Sequence, residues 1–558
     1  MLHVYPLAAA AVPLFIWAGY SYLYKLRFKQ YEHLPRTPPS LIWGHLATIG
    51  DFYKKGDVRR HIDYVFRQIG QSIGCPPIVI LDMRPFFYVM CLVFSHDVAE
   101  QISRSSKEFP YSTPKSPTMG ALTPIIGPHS IISSQGEKWK SLRKRYNAGF
   151  APSHLMTLLP RIVDKTQLFL RNLDALAKSR QEFSMEPLCT NLTFDIIGAV
   201  VMDVELDAQL PKAQQSELVK LYRQLVDTYT IAGAEGFVFF NPLNYFRRMR
   251  LSKVVDRALK LLIREKFAAA STVARDRKTR SVLTLSLQDT QDLDDLALSQ
   301  TADQLKSFLF AGHDTTSILL QWMFYELSRT PSALAKLRAE HDEVFGSDTD
   351  AAAVAEMLRS RGDELIPRMA YTSAVIKEAL RLYPPAATAR LVSRGGGFFV
   401  KLPDGGKACL DGMVLYNMHF AIQRDEGVFG PTADVFMPER WLGDVDTSAD
   451  AAENPVNEQS TGSGKAIPPS SWRAFERGPR NCIGQELANL EARVILSLVV
   501  RRYDFHKTGA GQIKRNADGS AILDDATQQY EIESPMFNTR QITSKPYDGM
   551  MMKVSVRT

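Results

Sequence analysis

The chain has 558 residues, 45% of them hydrophobic and 23% charged, enough apolar material for one large core or several smaller ones and too much for an intrinsically disordered protein. Lysine and arginine exceed aspartate and glutamate by 67 − 60 = 7 with no long basic run, so charge gives no footprint for nucleic acid, while a membrane surface or an acidic partner remains compatible. Five cysteines, Cys75, Cys91, Cys189, Cys409 and Cys482, form no CxxC pair, which excludes a disulfide framework and a structural zinc site and fits a reducing compartment. The first four are expected as small buried hydrophobes.

In chain order, the first element is VYPLAAAAVPLFIWAGYSYLY (Val4–Tyr24), uncharged and as long as the ~20 apolar residues that cross a bilayer. No basic residue precedes it, whereas Lys25, Arg27 and Lys29 follow, a charge order that leaves the N-terminus outside and the rest of the chain cytosolic. Residues 1–24 are therefore expected as a transmembrane anchor, with a monotopic anchor as the alternative because Pro6 and Pro13 weaken the helix. Residues 25–46 read as a basic and proline-rich hinge, LPRTPPSLIWGHL being stiff enough to space a catalytic body, residues 47–558, from the bilayer.

Strand-like runs follow at PPIVILDM and FFYVMCLVF, and a later set at GGFFVKL and MMMKVSV. Between them long helical patterns dominate, so the fold class is mainly α with a small β subdomain. The segment DQLKSFLFAGHDTTSILLQWMFYELSR (residues 303–329) is apolar on nearly every side and predicts a buried central helix. Within it AGHDTT turns small and polar, where a glycine and back-bonding threonines open a groove or kink. A buried Asp314 requires an ion pair or works on protons, and His313 reads as a satisfied core histidine. Residues 443–466 are polar and small, a solvated insertion.

Further on, KEALRLYPP sets Glu378 and Arg381 one helical turn apart, and MPER supplies Arg440 shortly before the cysteine loop. WKSLR puts Trp139 and Arg143 on one helix face. The loop itself is FERGPRNCIG, residues 475–484, followed by a helical pattern containing Ala488.

These motifs in this order resemble those of the cytochrome P450 monooxygenases. The resemblance implies a P450 fold holding haem b, with Cys482 as axial thiolate ligand of the iron, Gly478 and Gly484 turning backbone toward the sulfur, Phe475 covering it, and Arg480 pairing with a haem propionate. It assigns Trp139 and Arg143 to a propionate, Arg390 or else Arg394 to the other, and Glu378, Arg381 and Arg440 to a structural network. Asp314 and Thr315 become the acid–alcohol pair that delivers protons during oxygen activation, and Gly312 leaves room for O2. Two departures stand out: Glu476 and Arg477 make the loop more charged than in many relatives, and residues 443–466 lengthen the segment before it.

The implied activity is an NADPH- and O2-dependent monooxygenation of a hydrophobic small molecule, with electrons from NADPH-cytochrome P450 reductase and cytochrome b5 as a further donor. The wording GPRNCIGQELA and SKPYDGMMMKV is similar to filamentous-fungal members of secondary metabolism that act on aromatic polyketides such as versicolorins. Terpenoid, alkaloid and fatty acyl substrates stay open, as does a haem-thiolate isomerase, dehydratase or ligand-binding protein, a class that usually lacks the acid–alcohol pair. The expected location is the endoplasmic reticulum membrane with the catalytic domain in the cytosol, without nucleic acid. The substrate pocket is expected under residues 111–127, 228–242 and 385–389, around Phe308 and Ala311, and near Phe537. Lys138, Lys140, Lys144 and Arg145, with Arg473 and Arg477, are expected to form a basic surface for an acidic flavin reductase.

Overall fold

The computed structural model describes residues 4–230, 242–272, 280–443, 459–460, 466–539 and 541–557. Two expectations fall largely elsewhere: nearly all of the 443–466 insertion and most of the 228–242 pocket segment lie outside the described residues. The chain divides into two compact units, each built from separated stretches. The first comprises Met1–Pro117, Ala387–Ile422 and Arg477–Arg480; the second comprises Thr118–Ala386, Gln423–Glu476 and Asn481–Thr558.

The first unit is organised by a four-stranded sheet. Ile78–Asp82 runs antiparallel to Val89–Val93 with Ile80 opposite Cys91. Val89–Val93 is parallel to Val414–Asn417, with Cys91 opposite Leu415, and Thr388–Leu391 closes the sheet antiparallel, with Arg390 opposite Leu415. The unbroken apolar run of the first strand follows from burial on both faces. Ile78 and Ile80 join Cys91, Val93 and Leu415 in one core, and Val79 and Leu81 join Leu92, Val65 and Ile69 in another. The strand in FFYVMCLVF starts only at Val89; Phe86, Phe87 and Tyr88 are exposed beyond the core.

The helix Val4–Tyr24 is uncharged, and its side chains from Val12 through Trp17 are exposed. Residues 34–46 are attached to the sheet. Leu34 sits in the sheet core, Ile80 N–H donates to Pro35 O at 2.8 Å, and the buried His45 ring bonds Thr37 O and Asp82 N–H, both at 2.8 Å. Prolines there shape an edge laid onto the sheet because its backbone groups find partners in it. Cys75 also departs from the small-hydrophobe expectation. It is exposed, with a left-handed φ of 51°, whereas Cys91 and Cys189 are fully buried and their thiols pushed up by that burial.

The second unit is helical around the central helix, which extends from Asp295 to Arg329 and is capped by Asp294 accepting from Ala297 N–H at 2.6 Å. The helix is longer than its apolar pattern, since its first turns carry Asp295, Ser299, Gln300 and Thr301. Its helical hydrogen bonding runs unbroken through Ala311–Thr316. A Cβ at Gly312 would lie 2.6 Å from Ile197 Cδ1 on the helix Met185–Ile197, so the glycine serves the approach of two helices. The stretch Met185–Met202 is long and apolar enough to cross a membrane, but it is mostly buried as a core helix. A three-stranded sheet, ordered Tyr503–Lys507, Met551–Val556, Phe183–Ser184, completes the unit.

Candidate active site

Within the second unit, Cys482 begins the turn that leads into the helix Gln485–Val499, and its N–H donates to Phe475 O at 2.8 Å, closing the loop on itself. Its thiol is exposed. The helix Gly136–Asn147 presents the buried Trp139 and, four residues on, Arg143. Arg143 forks onto the residue before the cysteine, Nη1 to Asn481 O at 2.6 Å and Nη2 to Asn481 Oδ1 at 2.8 Å. Burial lowers the guanidinium from its ordinary value, and the neighbouring Cys482 sulfur acts the other way. A guanidinium beside a thiol favours the thiolate, the form that ligates iron.

In the first unit, Gly478 has φ 75° and its Cβ would lie 2.2 Å from Ser103 O, so only glycine fits. Arg477 pairs with Glu100 at 2.9 Å, and Arg480 is buried. Arg390 is fully enclosed and donates to Ser112 Oγ at 3.2 Å and Thr113 O at 3.3 Å, whereas Arg394 is exposed. Of the two alternatives, Arg390 is the interior one. In the second unit Arg473 is buried, ion-paired with Glu476 and bonded to Ser470 O. Arg145 donates to Ser286 O at 3.0 Å. Of the residues expected in the basic surface, Lys138, Lys140 and Lys144 are exposed, Lys140 lying 3.8 Å from Glu137, whereas Arg473 and Arg477 are paired with Glu476 and Glu100.

Glu378 and Arg381 lock together in the helix Ala370–Leu382, fully buried. Glu378 Oε1 accepts from Arg381 Nη2 at 2.8 Å, Arg440 Nε at 2.9 Å and Met437 N at 2.9 Å; Oε2 accepts from Arg381 Nε at 2.8 Å and Trp441 Nε1 at 2.9 Å. Burial pushes the carboxyl up, and the two arginines outweigh it and hold it below its ordinary value.

On the central helix, Thr315 Oγ1 donates to Ala311 O at 2.7 Å. Asp314 is buried, its Oδ1 2.9 Å from Lys545 Nζ and its Oδ2 accepting from the Thr543 hydroxyl. Lys545 also reaches Glu186 Oε1 at 2.8 Å. Burial pushes the Asp314 carboxyl up, but Lys545 foremost, with His313 and Thr543, holds it below the ordinary Asp value; Lys545 is correspondingly raised. His313 is a satisfied core histidine, bonded to Leu309 O at 2.6 Å and stacked 4.2 Å from Phe194. A cavity of about 570 Å³ opens on this flank, lined by Glu186, Thr190, Phe194, Arg223, His313 and Lys545. Phe308, expected to line a pocket, packs edge-on against Tyr146 and Phe150 at 5.1 Å each.

Lys545, Thr543 and Glu186 escape sequence reasoning because the contacts join positions 229 and 359 residues apart with no shared spacing. Glu491 escapes it too. Burial pushes it up to about 8, against a hydrogen bond from Thr316, the neighbour of Thr315.

The P450 family model matches residues 35–531. The chain belongs to the cytochrome P450 family. The cytochrome P450 monooxygenase acrF of Aspergillus aculeatus is 33% identical over 484 residues, covering 85% of this chain and 93% of that one. The bifunctional cytochrome P450/NADPH–P450 reductase of Gibberella moniliformis is 31% identical over 332 residues, 58% of this chain and 26% of that protein. The crystal structure of a cytochrome P450 titled CYP102L1 superposes with TM-score 0.67 at 17% identity, covering 89% of this chain and 98% of that one, which shows the fold. This P450 is a monooxygenase of the haem-thiolate class, whose members use haem with electrons from NADPH through a reductase. Its residues fit that group. Cys482 offers one exposed, soft anionic donor with a guanidinium beside it, and among the described residues no cluster of His, Cys, Asp and Glu could hold a different metal.

Proposed function

We propose that this P450 inserts oxygen into a hydrophobic secondary metabolite, with aromatic polyketides as the favoured class. The observation that carries the oxygenase reading at residue level is the side-by-side placement of a buried, ion-paired Asp314 and the hydroxyl of Thr315 on one helix. Haem-thiolate isomerases and ligand-binding proteins usually lack that pair. Bound haem supplies oxygen activation, one atom going to product and the other to water. Cys482 holds the iron as thiolate, and the Arg143 charge stabilises that anion. Trp139 and Arg143, and on the motif match alone Arg390 and Arg480, serve propionates; Phe475 and Gly478 shape the loop, whose Phe475 carbonyl fixes the Cys482 amide. Glu378, Arg381 and Arg440 keep the surrounding helix and turn in place.

Asp314 carries protons at its carboxyl. Its lysine partner lines the 570 Å³ cavity, so the solvent side of the relay is the Glu186–Lys545 end and the reactive side is the Thr315 hydroxyl. Thr315 spends its hydrogen on Ala311 O until a stronger acceptor faces it. The helix Val4–Tyr24, apolar and exposed from Val12 through Tyr20, serves as the membrane span that places the enzyme on the cytosolic face of the endoplasmic reticulum. Lys138, Lys140 and Lys144 form the surface for the reductase, with cytochrome b5 as a further donor.

The test is spectroscopic and chemical. Cys482→Ser should keep the fold but lose the red-shifted ferrous–CO Soret band, and the parent should oxidise aromatic polyketides only with NADPH, O2 and reductase. A red-shifted band in the serine variant, or turnover without electrons, overturns the assignment.

A further inference from the structure

The cavity of about 570 Å³ beside Asp314 is larger than proton traffic requires and falls within the ~300–1,000 Å³ of small-molecule sites. It belongs to the second unit, and its lining comes mainly from the helices Met185–Ile197 and Glu217–Thr230, the turn before the latter, and His313 and Lys545. Part of the wall is apolar: Pro187, Phe194, Leu210, Pro211 and Val226.

The charges in the lining are unevenly paired. Arg223 is half-buried and makes two hydrogen bonds, Nη1 to Gln215 Oε1 at 3.0 Å and Nη2 to Asn191 Oδ1. Both acceptors are neutral. Among the described residues no carboxylate bonds this guanidinium, Asp195 and Asp227 acting only at longer range, and burial lowers it from its ordinary value. Two of its five N–H donors are thus used, and its Cζ lies 5.4 Å from the centre of the Phe194 ring. A half-buried cation bonded only to neutral oxygens is short of counter-charge, which a charge-assisted bond to an anion would supply.

The second cation is Lys545, shared between Asp314 Oδ1 at 2.9 Å and Glu186 Oε1 at 2.8 Å, and Lys212 adds an exposed third. Against them the lining sets Glu186, already spent on Lys545, and the exposed Asp227, while His313 stays neutral because burial lowers it. A water path needs neither an apolar wall nor a guanidinium without a carboxylate.

We propose that the cavity binds a small organic carboxylate with an apolar body: the anion bonds Arg223 and draws Lys545 away from Asp314, and the body lies along Phe194 and Leu210. Occupied, the site slows the proton supply at Asp314. That regulatory part rests on the reading of Asp314 as the proton carrier, whereas the site itself does not.

The haem-loaded full-length enzyme, its haem pocket filled with an iron-ligating phenylimidazole, is titrated calorimetrically with naphthoate and with naphthamide, which keeps the apolar body and loses the charge. Naphthoate should bind at one saturable site and naphthamide should not saturate. Arg223→Gln should weaken naphthoate by about tenfold or more, the worth of one lost charge-assisted bond. Asn191→Asp gives Arg223 an internal carboxylate in place of an amide; it should weaken naphthoate equally and serves should the first variant not fold. Glu186→Gln and Asp314→Asn should each tighten naphthoate severalfold, because both release Lys545. No saturable site, equal binding of naphthamide, or unchanged affinity in Asn191→Asp overturns the site; unchanged affinity in both Glu186→Gln and Asp314→Asn overturns the draw on Lys545. With phenylimidazole omitted and reductase added, saturating naphthoate should slow NADPH consumption in the parent but not in Asn191→Asp. No slowing, or equal slowing in both, overturns the regulatory part, whereas full-rate consumption by Asp314→Asn without naphthoate overturns the relay and leaves the site standing.

Discussion

Two buried carboxylates of the second unit face opposite tasks. Glu378 is enclosed by five donors from Arg381, Arg440, Trp441 and the Met437 amide, and it has no exposed surface. Asp314 has one hydroxyl and one lysine, and that lysine is shared with Glu186 at the edge of a cavity. A fully bonded carboxylate cannot take or release a proton without breaking its whole shell, so Glu378 is fit for holding. A carboxylate whose cation has a second anion within reach can lose its partner by one lysine rotation, so Asp314 is fit for exchange. Burial alone does not distinguish structure from chemistry; the number of donors and where they lead does.

The comparison breaks most sharply at Glu378. Glu378→Ala leaves two buried guanidiniums without their carboxylate and should cost about 3–5 kcal/mol, read from denaturant unfolding; a loss below about 1 kcal/mol would show that the box is not what holds this region. Lys545→Met should cost somewhat less, about 1–3 kcal/mol, because the lysine side chain is 12% exposed. Its pH signature is the sharper measure. Asp314 is held below its ordinary value, so it now stabilises fully above the unfolded pKa of about 3.9 and that stabilisation is lost as pH falls through the folded value. Without Lys545 burial dominates, the carboxyl rises above its ordinary value, and melting temperature should fall as pH rises from 5 to 8. Adding Asp314→Asn should restore most of the loss.

Glu491 supplies a third measurement. Burial raises it to about 8, so its contribution is complete below the unfolded value and declines as pH rises through 8. Glu491→Gln should therefore match the parent near pH 4 and exceed it by about 1 kcal/mol or more at pH 8, in thermal unfolding across that range. Thr315→Ala should be the smallest change in stability, within about 0.5 kcal/mol, yet product should fall severalfold while NADPH consumption continues and hydrogen peroxide rises. Asp314→Asn should instead slow consumption, because an amide does not carry a proton. Full coupling in Thr315→Ala would falsify the relay.

Much of this contrast was legible in the residues. The spacing of Glu378 and Arg381 announces a pair because three residues make one helical turn. The all-round apolarity of residues 303–329 announces the buried helix, and the lone Cys482 among glycines and arginines announces the loop. What escaped was set by tertiary contact. Lys545 reaches Asp314 from a segment whose SKPY wording carries no periodicity, and the edge-on contacts of Phe308 with Tyr146 and Phe150 join positions with no shared spacing. How the proline segment is held was not legible for a related reason: proline fixes φ but leaves open whether neighbouring carbonyls find a sheet to bond, and Pro35 O does.

The order of strands in the first unit also sets a timetable. Val89–Val93 pairs on one side with a strand made just before it and on the other with Val414–Asn417, about 320 residues later. At a synthesis rate of roughly 5–20 residues per second, the nascent hairpin waits on the order of 15–60 s with an apolar, hydrogen-bonding edge uncovered. During that interval the emerging sheet, unlike the finished enzyme, is open to mispairing along this edge.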